Sequence, residues 1–229
     1  MRELVLDTET TGFDPQQGDR IVEIGAVELI NQMPTGKTYH QYINPERAMP
    51  QEAFEVHGLG DDFLRDKPVF KDIAQEFLDF VKDDKLVIHN AAFDMKFLNA
   101  ELGWLNLPQL PWEQALDTLA IARKRFPGSP ASLDALCRRF NIDNSNRTLH
   151  GALLDSEILA EVYLELLGGR QPGLVLASSG GNTAGNAEDE WRASKRPTPL
   201  PSRITEEEAK AHAAFVEKLG EGALWNKLS

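Results

Sequence analysis

Apolar residues open the chain in a short run, Leu4-Val5-Leu6, which predicts a buried strand from Arg2 to Asp7. Between Arg20 and Ile30, the apolar positions Ile21, Val22, Ile24, Ala26, Val27 and Leu29 alternate in part and predict a second, longer strand. A third is expected from Lys37 to Ile43, closed by Asn44-Pro45. Met33-Pro34-Thr35-Gly36 carries turn chemistry, so the second and third strands are expected to pair as a hairpin turning there. From Phe70 the period changes. Phe70, Ile73, Ala74, Phe77, Phe80 and Val81 recur at helical spacing and predict a helix from Phe70 to Val81. Lys85 to His89 reads as a short buried strand, followed by a helix near Ala92 to Leu102. A loop rich in Trp and Pro then leads to a fifth strand at Gln114 to Asp117, and helices are expected at Thr118 to Arg125, Ser132 to Phe140 and Gly151 to Leu167. An antiparallel opening set followed by alternating strands and helices argues for an α/β domain, a mixed central sheet flanked by helices.

This patterning stops after Gly168-Gly169. Residues 177–203 combine Ser-Ser-Gly-Gly-Asn-Thr-Ala-Gly-Asn with Pro197, Pro199 and Pro201, a composition that predicts a flexible tether. Scaling as about 5–6 Å times the square root of its length, such a tether reaches roughly 25–30 Å. Beyond it, Thr205-Glu206-Glu207-Glu208 is a capping box opening a short helix to Leu219, and the apolar Ala223-Leu224-Trp225 follows.

Composition narrows the possibilities. At 229 residues there is room for one well-cored domain and an appendage. No run of eighteen apolar residues exists to span a membrane, and the immediate entry into Leu4-Val5-Leu6 leaves no space for a signal peptide. The single cysteine, Cys137, cannot form an internal disulfide and reads as a small core residue, consistent with a reducing cytoplasm. A net charge of −12 repels nucleic acid at long range, so the chain lacks the footprint of an autonomous DNA binder. A nucleic-acid substrate would have to be gripped briefly through metal ions or delivered by a partner.

The chemistry lies in five polar residues. Asp7 and Glu9 stand two apart, so in an extended segment both point to one side; an exposed strand end with solvated acids would explain them equally well. Asp94 follows a strand and opens a helix, where an acid read alone would be a cap. Asp155 shares a helix face with Ile158, Leu159 and Val162, and an acid aimed at a core is anomalous without a cation. His150, five residues ahead, has a near-neutral pKa suited to deprotonating or orienting a water, although a lone histidine read by itself is more often a plain structural group. Carboxylates converging from separate segments, without cysteine, suit Mg²⁺ or Mn²⁺ rather than zinc, and predict a two-metal site cleaving phosphodiesters. His57 and Phe93 are weaker candidates for touching substrate and are equally explicable as loop or core filling. His40 and His212 read as surface residues.

Asp-x-Glu at Asp7, the Asp94 of His-Asn-Ala-Ala-Phe-Asp and the closing His150-x-x-x-x-Asp155 resemble the DEDDh exonuclease superfamily, which has an RNase H-like fold. The likeness extends through Asp7-Thr8-Glu9-Thr10-Thr11-Gly12, Ile21 to Glu28, Phe126-Pro127-Gly128, Ser132 to Cys137 and Thr148 to Asp155 to the family of epsilon subunits of bacterial DNA polymerase III. The resemblance implies a 3′→5′ DNA exonuclease domain at 1–170 that proofreads misincorporated nucleotides and releases nucleoside 5′-monophosphates. Asp7, Glu9, Asp94 and Asp155 would hold two divalent cations and His150 would be the general base. Thr10, Val56, His57 and Phe93 would meet the terminal nucleotide, together with Asp7, Glu9 and Asp155. Gln171-Pro172-Gly173-Leu174-Val175-Leu176 looks like a sliding-clamp peptide carried by Gln171, Leu174 and Leu176, departing from it in a final Leu where Phe is common. The segment 204–229 would bind the polymerase alpha subunit, and a small theta-like accessory subunit would complete a cytoplasmic, nucleoid-associated assembly. Two rivals remain at this point: a DEDDh RNase trimming RNA 3′ ends, and a non-catalytic scaffold between clamp and polymerase.

Overall fold

A computed structural model describes residues 1–147, 149–169 and 204–219. The chain divides into two compact units, Met1–Leu176 and Ala177–Ser229. In the first, the strands are β1 (Arg2–Thr10), β2 (Ile21–Ile30), β3 (Met33–Tyr42), β4 (Lys85–Ile88) and β5 (Ala115–Asp117). The helices are α1 (Gln51–His57), α2 (Asp61–Leu64), α3 (Phe70–Val81), α4 (Ala91–Trp104), α5 (Thr118–Arg125), α6 (Leu133–Phe140) and α7 (Ala152–Leu167). The strands form one sheet in the order β3-β2-β1-β4-β5. The first three pair antiparallel, while β4 runs parallel to β1 and β5 parallel to β4. The expected mixed sheet is present.

Alternation along β1 sorts the core into two layers. Leu4 and Leu6 pack with Phe77 of α3 and Met95 and Leu98 of α4. Val5 points the other way, into a cluster with Leu136 and Cys137 of α6 and Leu159 and Val162 of α7. Each such buried Leu or Val contributes about 1.5–3 kcal/mol, which is what fixes the register of the central strand. Odd-numbered positions of β1 therefore face α7, and the same parity carries forward to Asp7 and Glu9.

Three features depart from the sequence reading. The hairpin turns at Asn31 and Gln32, whose φ angles of 51° and 67° are left-handed, and not at Met33-Pro34-Thr35-Gly36. That tetrapeptide lies inside β3, an edge strand where a proline without an N–H is tolerated, and the ladder slips between Val27 and Leu29 to accommodate it. The helices α1 and α2 had no periodic signal, being short and keeping Phe54, Val56 and Phe63 largely exposed. β1 runs three residues past its expected end at Asp7, pairing in register through Glu9 and reaching Thr10 after a register shift.

In the second unit, α8 (Glu206–Leu219) opens with the expected capping box. The Thr205 N–H donates to Glu208 Oε2 at 2.8 Å, and the Glu208 N–H returns to Thr205 Oγ1 at 3.3 Å. The peptide 171–176, the segment 177–203 and Ala223-Leu224-Trp225 lie outside the described residues. Among the described residues no helix is long and apolar enough to cross a membrane.

Candidate active site

The site forms where β1 ends, and it depends on how closely α7 approaches β2. Gly25, opposite Asp7 in the ladder, allows this contact, because a Cβ there would lie 2.2 Å from the Leu153 backbone nitrogen. Ser156 Oγ donates to the Gly25 carbonyl at 3.0 Å. Glu23 Oε2 accepts the Ala152 N–H at 3.1 Å, placing a carboxylate at the positive end of the helix, and its Oε1 lies 2.7 Å from His40 Nε2. Pinned in this way, α7 presents Asp155 buried on the face shared with Ile158, Leu159 and Val162. From the other side of β1, the parallel β4 delivers α4 through Asn90, and Asp94 sits in its first turn. Thr8 Oγ1, on the even face of β1, donates to Asp94 Oδ1 at 2.7 Å.

Glu9, His150 and Asp155 each offer a ligand atom, and these three atoms lie within 4.8 Å of one another. Asp7 and Asp94 lie outside that trio, within electrostatic range of it. Burial raises the Asp7 carboxyl well above its usual range, and Asp94, Glu9 and Asp155 add to the rise. Burial, then Asp155 and Glu23, push Glu9 up to about 8. Burial pushes Asp94 up to about 7 against the opposing hydrogen bond from Thr8. Acids crowded out of water and raised together would each be stabilised in their ionised form by a nearby divalent cation.

Part of that charge comes from Arg147, which sequence reasoning missed. Its guanidinium forks onto Asp155, with Nε 2.5 Å from Oδ1 and Nη2 2.7 Å from Oδ2. Nη1 reaches Asp134 at 3.0 Å, and Nη2 lies 2.9 Å from His150 Nδ1. Burial and then Arg147 lower the His150 pKa, with Asp155 opposing, so the imidazole is neutral near pH 7. A guanidinium can only donate, so the shorter contact is satisfied with the imidazole lone pair on Nδ1, while Nε2 lies 3.4 Å from the same Nη2. The backbone N–H of His150 donates to the Val56 carbonyl at 3.0 Å, tying the loop before α7 to the last turn of α1.

The remaining expected residues scatter around this cluster. Thr10 is buried, with Oγ1 donating to the Gly12 carbonyl at 2.6 Å. Val56 is exposed beside the His150 loop. His57 is only 5% exposed, and its Nδ1 accepts the Leu59 N–H at 3.1 Å. That leaves the proton on Nε2, which is directed towards the Thr10 backbone without completing a hydrogen bond. Phe93 is half-buried against Phe97, with ring centroids 5.0 Å apart. Gln171, Leu174 and Leu176 are not among the described residues. Besides Arg147, sequence reasoning missed the roles of Thr8 and Glu23. Glu23 offered a partial signal, one of two acids in a largely apolar strand; an arginine in an irregular loop offered none.

A mixed sheet bearing buried carboxylates at the end of its central strand defines a class, the metal-dependent nucleases. Comparison agrees: residues 4–163 match the family described as Exonuclease. The structure of exonuclease X in complex with 5′ overhanging duplex DNA superposes with a TM-score of 0.58 at 26% identity, covering 72% of this chain and 90% of that one. The nuclease domain of 3′hExo, a DEDDh family member bound to rAMP, shares the fold with a TM-score of 0.62 at 20% identity, over 72% of this chain and 91% of that one. In sequence the chain is 49% identical over 222 residues to DNA polymerase III subunit epsilon of Rickettsia conorii, covering 96% of each. It is 46% identical over 236 residues to the Escherichia coli protein of the same name, covering 98% of this chain and 97% of that one. The chain belongs to the exonuclease family and, within it, to the epsilon subunits of DNA polymerase III, and its activity is that of a 3′→5′ proofreading exonuclease. The family works with divalent metal ions, and the crowded carboxylate oxygens fit hard cations, with the imidazole of His150 beside them.

Proposed function

We propose that the chain removes the 3′-terminal nucleotide of a mispaired DNA primer within a bacterial polymerase III core, using two Mg²⁺ or Mn²⁺ ions held by Asp7, Glu9, Asp94 and Asp155. The observation that carries this reading is the convergence of Glu9, His150 and Asp155 within 4.8 Å among acids whose pKa values are raised together. When bound, the ions supply charge neutralisation for the attacked phosphodiester and for the departing 3′ oxygen. His150, neutral and with its lone pair on Nδ1, takes the proton from the attacking water. Water adds at phosphorus, the bond to the 3′ oxygen of the preceding nucleotide breaks, and a nucleoside 5′-monophosphate leaves.

His57 Nε2–H, buried and without a partner, is a donor ready for an oxygen of the terminal nucleotide. Thr10, Val56 and Phe93 would complete its surroundings. Selectivity for errors comes from fraying. Each lost stacking step is on the order of 1.4 kcal/mol, about a tenfold change in the open population, so a mispaired end enters a single-strand site more often. The segment 204–229 would hold the alpha subunit, Gln171, Leu174 and Leu176 would touch the sliding clamp, and a theta-like subunit would cover the nuclease domain, all in the cytoplasm at the nucleoid.

The test is digestion of 5′-labelled primers, matched and mismatched, by wild type and Asp155→Asn with and without Mg²⁺. The reading requires stepwise 3′ shortening, faster on the mismatch, lost in Asp155→Asn and lost without Mg²⁺. Metal-independent cleavage, or faster digestion of single-stranded RNA than of DNA, would overturn it.

A further inference from the structure

Arg147 occupies the place where a cation is needed, and its contacts are more than a surface ion pair. The side chain is 8% exposed, and both oxygens of Asp155 are engaged by its fork. The same guanidinium lies 2.9 Å from His150 Nδ1 and 3.4 Å from Nε2, so the ring edge that would serve as a base is covered by a donor. Its third contact, Asp134, is different in kind: that side chain is 45% exposed and is also held by Asn144 Nδ2 at 3.0 Å. Arg147 thus bridges a buried carboxylate in the site and a solvated carboxylate at its rim.

We infer that Arg147 is an internal counter-cation that holds Asp155 and His150 in the metal-free enzyme and shifts onto Asp134 when divalent ions load. The inference rests on the reading of Asp155 as a metal ligand and His150 as the base. A divalent ion needs a carboxylate lone pair at about 2.0–2.1 Å, in the space the guanidinium fills, and two positive groups cannot share it without strong repulsion. Asp134, already 3.0 Å from Nη1, would retain Arg147 when the fork leaves Asp155, and the same departure would uncover His150 Nδ1. Metal loading and unmasking of the base become one event, and Arg147 lowers metal affinity by competing for Asp155. It is a positioning residue that sets when the base is free.

The test uses the full chain without nucleic acid. Mn²⁺ binding is measured by titration calorimetry, and melting temperature is measured in EDTA and in saturating Mn²⁺, for wild type, Arg147→Ala, Arg147→Gln, Asp134→Asn and Asp155→Asn. Arg147→Ala and Arg147→Gln are expected to bind Mn²⁺ roughly tenfold more tightly, since a buried competing contact of about 1.4 kcal/mol is removed. Both should melt lower in EDTA and gain more from Mn²⁺ than wild type does. Asp134→Asn, on the exposed rim, weakens the second anchor and is expected to shift affinity the other way, towards weaker binding. Unchanged or weaker Mn²⁺ binding in both Arg147 variants, with Asp155→Asn deficient in binding, overturns the counter-cation role and leaves the metal site standing. Full Mn²⁺ binding by Asp155→Asn overturns both. The opposite signs expected at Arg147 and Asp134 distinguish competition from a general loosening of the loop, which would weaken binding in all variants.

Discussion

In the unfolded chain Glu9 ionises near 4.5, while burial in the folded protein, with Asp155 and Glu23, pushes it up to about 8. Asp94 moves in the same direction, from 3.8 to about 7. Between those limits the folded state retains protons that the unfolded chain has released, so stability falls as pH rises. Below the unfolded values both states are protonated and the penalty is absent. The melting temperature in EDTA is therefore expected to drop between about pH 5 and about pH 8, and Mg²⁺ should flatten the profile by neutralising the ionised acids. A flat profile in EDTA would mean that the acids carry no mutual strain. His150→Ala is expected to lower kcat by about 10²–10⁴-fold, the usual worth of a general base, with Mg²⁺-dependent melting retained. Asp155 was legible because an acid on an apolar helix face contradicts its neighbours. Asp7, Glu9 and Asp94 were ambiguous one at a time and were read as one metal site through their combination and the family resemblance; the sheet order sets the strands that carry or lead to them side by side. Arg147 could not be read, because a contact made across an irregular loop leaves no period in the sequence.

Among the elements, long periodic segments were recovered well. The helix expected from Phe70 to Val81 appears with those bounds, as does the one from Thr118 to Arg125. Failures fell where local chemistry misled. Met33-Pro34-Thr35-Gly36 has every turn residue, yet the left-handed Asn31-Gln32 pair turns the hairpin and the proline is accommodated on an edge. The packing of α7 on β2 turns on Gly25. Gly25→Ala would drive a methyl into the backbone of Ala152 and Leu153, and is expected to cost about 1–3 kcal/mol in chemical denaturation. Because α7 carries Asp155, the folded variant should also lose nuclease activity and Mn²⁺ affinity. Full activity in Gly25→Ala would show that the helix can step back without disturbing the site.

For the whole molecule, the charge of −12 was legible from composition and has a functional side. An acidic protein gains little from long-range attraction to DNA, so a delivered or frayed end matters more than free search. Discrimination by fraying has a thermal signature. Excision from a matched primer is expected to be slower than from a mismatched one, with the ratio narrowing as temperature rises and matched ends open as well. A ratio that stays fixed across temperature would place discrimination in recognition of the base itself.

The hydrogen bond from the His150 N–H to the Val56 carbonyl links two parts of the chain that the sequence separates widely. His150, proposed above as the proton acceptor, hangs from the last turn of a short surface helix in which Phe54 and Val56 are exposed. A displacement of that helix would therefore reach the His150 backbone through a single hydrogen bond.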